Sequence, residues 1–327
     1  MKKLFLTLFF LSIIANVSKA DNSEQGFINV PGGPVWYKVS GNGKGLPLLT
    51  LHGGPGSTSC TYSLLEPLGD QRPVIRYDQL GSGRSGRPDD LSLWEVDRFI
   101  EELHVIRQEL NLDQFHLLGH SWGAALAGAY LLEKGTSGVA SVIFSSPLLS
   151  TPLWMEDANY LRNQLPQDIQ DTLNFHEMAN TTDSDEYRDA SRVFYDRHLT
   201  RGEAKEKVNC DGAPWNQVIY EYMWGPTEFH ATGNLVDFDL SNQLHKIDIP
   251  VLFLTGEFDE ARPETISKFH KMIPGSEFII IKDVAHASLS RAPDDYRRIL
   301  EVFLDLSLIH ISEPTRQEAI SYAVFCL

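Results

Sequence analysis

The pentapeptide Gly119-His120-Ser121-Trp122-Gly123 lies between an apolar run, residues 115–118, and a stretch of good helix formers, residues 124–132. A G-x-S-x-G turn in that setting restricts the fold severely. The serine must sit on a sharp, strained strand-to-helix turn, where side chains at the glycine positions would clash. The following helix points its N-terminus at the serine and favours negative charge developing there. Further apolar runs at 47–51, 74–77, 139–144, 251–255 and 278–281 read as strands buried on both faces. Val96, Ile100, Leu103, Ile106 and Leu110 fall at helical spacing, and 263–272 and 293–304 also read as helices. Strand and helix alternate, which argues an α/β fold: a mostly parallel sheet flanked by helices. Residues 26–30 and 35–39 read as an opening hairpin around a Pro-Gly-Gly turn.

That rhythm breaks between residues 148 and 240, a stretch rich in charge and aromatics and without strong strands. It is expected to be a helical cap inserted into the core, leaving a first core part at 21–147 and a second at 241–305. The two ends of the chain are set apart. Lys2 and Lys3, an apolar run over 4–15 and Ser18-Lys19-Ala20 have the layout of a secretory signal over 1–20. The run is short of the roughly 20 residues that a membrane span needs. The mature chain is expected to start at Asp21 and to be periplasmic or secreted, with no membrane attachment after signal removal. Residues 306–316 (LSLIHISEPTR) and 320–327 (ISYAVFCL) read as translated sequencing-adaptor DNA, so 306–327 is expected to be foreign to the natural protein.

A nucleophilic serine needs a base and an orienting acid, which in this kind of sheet follow in the order Ser, Asp, His. Asp259 follows the strand at 251–255, and His286 follows the strand at 278–281. Loops at the C-terminal ends of parallel strands converge on one crevice. Ser121, His286 and Asp259 are therefore the candidate nucleophile, base and acid. Asp248 precedes its strand, at the wrong end, and Asp283 is too close to His286 in the chain to orient it. The loop His52-Gly53-Gly54-Pro55-Gly56 is placed to supply one oxyanion-hole N–H, assigned to Gly54; the residue after the nucleophile, Trp122, supplies the other. His52 and His120 are read as scaffold.

Other chemistries find less support. Residues 81–86 fit G-x-G-x-x-G, but Arg87-Pro88-Asp89-Asp90 continues a loop where a dinucleotide site requires a helix. No His, Cys and Asp cluster has metal-ligand spacing, and a serine triad needs no metal and no cofactor. With 44 acidic against 28 basic residues the net charge is −16, which disfavours nucleic acid and anionic membrane partners. Cys60 and Cys210 are expected to be unpaired thiols. No feature of the sequence sets an oligomeric state.

HGGPG at 52–56, YDQLGSGRS at 77–85, GHSWG at 119–123, GPTEF at 225–229 and TGEFDEARPET at 255–265 together resemble the proline iminopeptidase family, serine peptidases of the α/β-hydrolase fold, and its tricorn-interacting aminopeptidase branch most of all. The resemblance spans residues 26–305. It implies release of an N-terminal residue, preferentially proline, from short peptides through an acyl-enzyme on Ser121. It also implies that Glu228, in GPTEF, and Glu260, next to Asp259, hold the substrate's free amine, with Tyr220 nearby. Two carboxylates at about 3 to 4 Å from an ammonium attract it strongly at a semi-buried site. An apolar slot for the proline ring would use cap aromatics. The same residues would also suit a proline or amino-acid amide hydrolase or a general esterase.

Overall fold

The computed structural model describes residues 23–206, 208 and 214–312. The expected signal at 1–20, Cys210 and residues 313–327 lie outside that range. The chain forms one eight-stranded sheet: β1 (Ser23–Val30), β2 (Gly33–Ser40), β3 (Leu48–Leu51), β4 (Val74–Tyr77), β5 (Phe115–His120), β6 (Val139–Ser145), β7 (Val251–Gly256) and β8 (Glu277–Ile281). Their spatial order is β1-β2-β4-β3-β5-β6-β7-β8. The hairpin strand β2 pairs antiparallel with β1 and β4, and every other neighbour pair is parallel. The mostly parallel sheet expected from the alternating pattern is therefore what forms.

Helices α1 (Val96–Glu109), α2 (Trp122–Lys134), α7 (Pro263–Met272) and α9 (Pro293–Ser312) flank the sheet. The side-chain alternation of the strands sorts them onto two faces. Leu49, Leu51, Ile75, Leu117, Val142, Phe144, Val251 and Phe253 share a core with Phe99, Leu103 and Ile106 of α1, Leu126 and Tyr130 of α2, and Ile266 and Phe269 of α7. Leu48, Val74, Leu118, Ile143, Leu252 and Leu254 point the other way, onto Tyr296, Leu300, Phe303 and Leu304 of α9. That second layer is completed by a 3-10 helix, Ser59–Asp70, which carries Tyr62, Leu64, Leu65 and Leu68 into it. No sequence pattern announces this element. Pro67 within it lacks an N–H and interrupts any α-helical pattern.

Between β6 and β7 the chain forms α3 (Thr151–Arg162), α4 (Gln167–Ala179), α5 (Asp185–His198) and α6 (Gln217–Met223). Departing and returning backbones meet at an isolated bridge between Ser150 and Asp239. The insertion has its own small core, in which Ala158, Leu161, Leu173, Tyr187, Phe194 and Phe229 pack together. A short helix, α8 (Ser288–Arg291), links β8 to α9. Among the described residues no helix is long and apolar enough to cross a membrane.

One buried ion pair ties helix to loop. Arg98 and Glu102, one turn apart on α1, pair beneath the loop after β4, and Glu102 accepts the Leu80 N–H at 3.2 Å. Burial raises the Glu102 carboxyl, and Arg98 and the Leu80 N–H pull it back down only in part. Removing one partner of such a pair strands the other, at a typical cost of about 3 to 5 kcal/mol. Glu102→Ala should therefore lose about 3 kcal/mol in urea unfolding at neutral pH. A loss below about 1 kcal/mol would show that the pair is dispensable.

Candidate active site

Ser121 sits at φ 56°, ψ −120°, between the end of β5 and the start of α2. Positive φ at a non-glycine residue stores strain, which the surroundings must hold in place. Here the Ser121 N–H donates to Ser145 O at 3.0 Å, and its carbonyl accepts from Ala124 and Ala125 of α2. The flanking glycines allow the close approach. A Cβ on Gly119 would lie 2.2 Å from Gly123 O, and one on Gly123 would lie 2.0 Å from Leu51 O. Both obstacles are backbone and cannot swing aside.

Asp259 and His286 meet across the ends of β7 and β8. His286 Nδ1 donates to Asp259 Oδ1 at 2.8 Å, which leaves Nε2 as the nitrogen free to take a proton. Asp259 is buried and receives four further donors. Ser146 Oγ (2.6 Å), Thr255 Oγ1 (2.9 Å) and Gly256 N (3.1 Å) reach Oδ2, and Ala261 N (2.9 Å) reaches Oδ1. Burial alone would raise this carboxyl, but the His286 charge and the donors outweigh it and hold it below the usual range. Ser121 Oγ makes no hydrogen bond to His286 in this structure; catalytic contacts of this kind commonly tighten only with substrate bound. The rival acids are elsewhere. Asp248 accepts from Thr136 Oγ1 near the opposite ends of the strands, and Asp283 is exposed, its N–H held by Glu257.

The N–H groups of Gly54 and Trp122 have no acceptor among the described residues, as an oxyanion hole requires. Their loops are joined by a residue that sequence reading passed over. Gln79, almost fully buried, donates its backbone N–H to His52 Nε2 (3.0 Å) and its amide to His52 O (3.1 Å), and accepts from Trp122 Nε1 (2.9 Å). Because Gln79 N can only donate, His52 is protonated on Nδ1, which bonds Gly53 O at 3.1 Å. Burial keeps His52 neutral by lowering its pKa. His120 also stays neutral: burial, then the nearby His286, lowers it to about 3, and its ring lies 4.5 Å from that of His286. His52 thus bridges its loop to Gln79, and the His120 ring packs against that of His286.

Beside His286 lie two further carboxyls. Glu260 is 1% exposed, and both its oxygens lack a hydrogen-bond partner among the described residues; Oε1 is 3.8 Å from His286 Nδ1. Burial, then the charges of Glu228 and Asp259, raises it well above the usual range. Glu228 comes from the cap. The next residue, Phe229, is sunk in the cap core, Trp154 Nε1 bonds Glu228 O at 2.9 Å, and Trp224 Nε1 bonds Thr227 O at 2.8 Å. Burial raises Glu228 too, although the side chain is only half-buried; the His286 charge and the facing Tyr220 hydroxyl offset part of that rise. Tyr195 of α5 belongs to the same cluster: burial, then Glu228 and Glu260, push its hydroxyl up. The structure thus brings together Ser121, Asp259, His286, Gly54, Trp122, Glu228, Glu260 and Tyr220 at one end of the sheet.

Cap and catalytic loops are stitched at one residue. His198, at the end of α5, accepts the N–H of Glu260 and that of His286 on a single carbonyl, both at 3.2 Å, and its Nδ1 lies 3.0 Å from Phe258 O. Leu199 O accepts Ala287 N at 2.8 Å. No periodic signal marks such residues, since their partners are 60 or more positions away. Among the described residues no group of His, Cys, Asp and Glu could hold a metal ion. Cys60 is buried and has no disulfide partner among the described residues.

Fold and site together define a serine hydrolase of the α/β-hydrolase class, and a family model described as alpha/beta hydrolase fold matches residues 47–293. The chain is 47% identical to a proline iminopeptidase of Heyndrickxia coagulans, over 86% of this chain and 98% of that one. It belongs to the proline iminopeptidase family. The crystal structure of the proline iminopeptidase of Mycobacterium smegmatis matches with a TM-score of 0.77 at 29% identity, covering 88% of this chain and 100% of that one. The crystal structure of VinJ matches with a TM-score of 0.79 at 30% identity, covering 86% and 98%.

The Gln79 bridge has a kinetic consequence. Gln79→Ala removes two side-chain bonds that set the spacing of the Gly54 and Trp122 N–H groups. It should lower kcat about tenfold with KM nearly unchanged, less than the 100-fold or more typical of losing an oxyanion donor itself. A KM effect with unchanged kcat would place Gln79 in ground-state binding instead.

Proposed function

We propose that the chain is a serine aminopeptidase that releases N-terminal residues, proline in preference, from short peptides. The observation that carries this reading is the pair Glu228 and Glu260. Glu260 is buried beside the base and Glu228 is half-buried; burial raises both carboxyls, the Glu228 charge raises Glu260 further, and Glu260 has no hydrogen-bond partner among the described residues. A neutral ester or blocked peptide offers nothing to such a pair. An N-terminal ammonium neutralises it and holds the scissile carbonyl one residue away, at Ser121.

In the proposed cycle His286 Nε2 takes the Ser121 proton as Oγ attacks the carbonyl. Negative charge develops on the carbonyl oxygen, opposite the N–H groups of Gly54 and Trp122. His286 then gives the proton to the departing amine. Water, activated by the same imidazole, hydrolyses the acyl-enzyme. Asp259 keeps the Nδ1–H tautomer and stabilises the imidazolium without taking the proton. No metal or cofactor has a step in this sequence. Residues 1–20 are proposed to export the enzyme to the periplasm or beyond, which fractionation of the full-length protein tests: retention with cytoplasmic markers refutes it.

Ser121→Ala should lower kcat by about 10⁴-fold or more while leaving the unfolding transition in place. Activity within tenfold of the parent removes Ser121 as nucleophile. The glutamates give the sharper test. Glu228→Gln or Glu260→Gln should raise KM for prolyl arylamides at least tenfold and narrow the preference over N-acetyl-prolyl arylamides. An unchanged preference in both variants would favour a general esterase or amidase.

The pH dependence has a definite sign. A carboxyl raised by the fold is favoured in its neutral form. Its stabilising contribution is complete below the unfolded-state pKa and is lost as pH rises through the folded-state value. Glu260→Gln should therefore raise Tm at pH 8 by a few degrees and matter little at pH 4. In the parent enzyme, KM for a prolyl substrate should fall as pH rises through the glutamate titration, because the anion binds the ammonium. A small uncharged ester, which depends on His286 but not on the pair, should show no such KM trend.

A further inference from the structure

Trp215 lies just before α6 and is held over the oxyanion loop from both sides. Pro214 O accepts from Arg87 Nη2 at 2.6 Å. Asn216 donates its N–H to Gly56 O and its side-chain amide to Gly81 O, both at 2.8 Å. The indole N–H is turned to Gln217 Oε1 at 2.9 Å. The benzo edge of the indole rests against Gly54, where a Cβ would come within 2.8 Å of Trp215 Cη2. On its other side the ring meets Tyr220, with centroids 4.9 Å apart and planes tilted by 52°. One aromatic thus touches both the glycine assigned to the oxyanion hole and the tyrosine of the amine pocket.

Its exposure sets it apart. Trp154, Tyr220 and Trp224 are at most 5% exposed, whereas Trp215 is 42% exposed. The first three enclose the end of the site where Glu228 and Glu260 lie. Gly53 and Gly54, beneath Trp215, are partly open. An indole anchored through both flanking residues yet left open to solvent adds little to the core. It is a rigid apolar surface with one face unused, the kind of platform on which another ring or apolar chain gains contact at little entropic cost.

We infer that Trp215 forms a leaving-group subsite, which takes an apolar or aromatic side chain on the residue following the scissile bond. The inference rests on the aminopeptidase reading, which fixes the direction of the substrate. Its amine is enclosed beneath the cap by the two glutamates, and its carbonyl lies at Ser121 between Gly54 and Trp122. The leaving residue must then run outward, past the open glycines and along the indole. Trp215 is a specificity residue in this scheme and takes no part in bond making or breaking.

The test compares prolyl-phenylalanine amide with prolyl-glycine amide, which differ only in the leaving side chain. The parent enzyme should favour the phenylalanine compound about tenfold in kcat/KM, chiefly through KM. Trp215→Ala should bring the ratio close to one, and Trp215→Phe should keep most of it. If Trp215→Ala lowers both substrates equally and leaves the ratio unchanged, Trp215 only props the Gly54 loop and the subsite is refuted. A parent ratio near one refutes it as well. A parent enzyme that cleaves neither compound overturns the aminopeptidase reading along with the subsite, an outcome distinct from the other two.

Discussion

Asp259 and Glu260 are consecutive and almost completely buried, yet their electrostatics are opposite. Asp259 receives five donors, counting His286, and stays ionised. Glu260 receives none among the described residues, and burial together with the neighbouring carboxylates drives it toward its neutral form. The difference arises from the turn after β7. That turn aims Gly256 N, Ala261 N and the Thr255 hydroxyl at one carboxyl and leaves the next facing other acids. Isolated, such a concentration of buried negative charge costs far more than it contributes. It becomes intelligible when the two carboxyls play different parts. On the proposed reading, Asp259 holds an imidazole permanently, and Glu260 waits for a cation that comes and goes.

That division of labour requires the cap. Glu228 and Tyr220 belong to the insertion, and the carbonyl of His198 binds the backbone of both catalytic loops. Lifting α5 would free the N–H groups of Glu260, His286 and Ala287 in one movement. Each buried donor left unpaired costs about 1 to 3 kcal/mol. The cap is therefore better understood as a wall of the active site than as a loose lid. Its private core of Tyr187, Phe194 and Phe229 gives that wall enough rigidity to position Glu228 against residues of the sheet.

The strands and flanking helices were legible because each is a local pattern: runs buried on both faces in β3 to β7, a 3.6 period in α1, a glycine-flanked serine before α2; β8, an edge strand, has the same apolar run but is partly exposed. Ser121, Asp259 and His286 were legible as candidates for a related reason, since each directly follows a recognisable strand. Glu228 and Glu260 were found only through family motifs; as isolated acids they carry no signal. Gln79, Ser146, His198 and Trp215 escaped because their roles exist only in three dimensions. Ser146, at φ 44°, bonds a carboxylate 113 positions away, and Gln79 bonds an indole 43 positions away. The 3-10 helix at Ser59–Asp70 escaped because Pro67 within it breaks the run that would mark a longer helix.

On the proposed reading the acidic pocket also shapes the end of the cycle. The substrate enters with one charge near the reacting centre, the ammonium, which the glutamates neutralise. Hydrolysis of the acyl-enzyme creates a second, a carboxylate at Ser121, on the same small molecule. That new anion faces Asp259, which is held ionised, and the glutamate pair, with no arginine or lysine among the described residues in contact with the triad to offset it. Like charges in a semi-buried site repel more strongly than in water, because the effective dielectric is lower and salt screens them less. The attraction that binds the substrate is thus opposed, only after chemistry, by a repulsion that favours release. A pocket built from a single sign of charge separates a cationic amine substrate from a zwitterionic amino-acid product without any moving part.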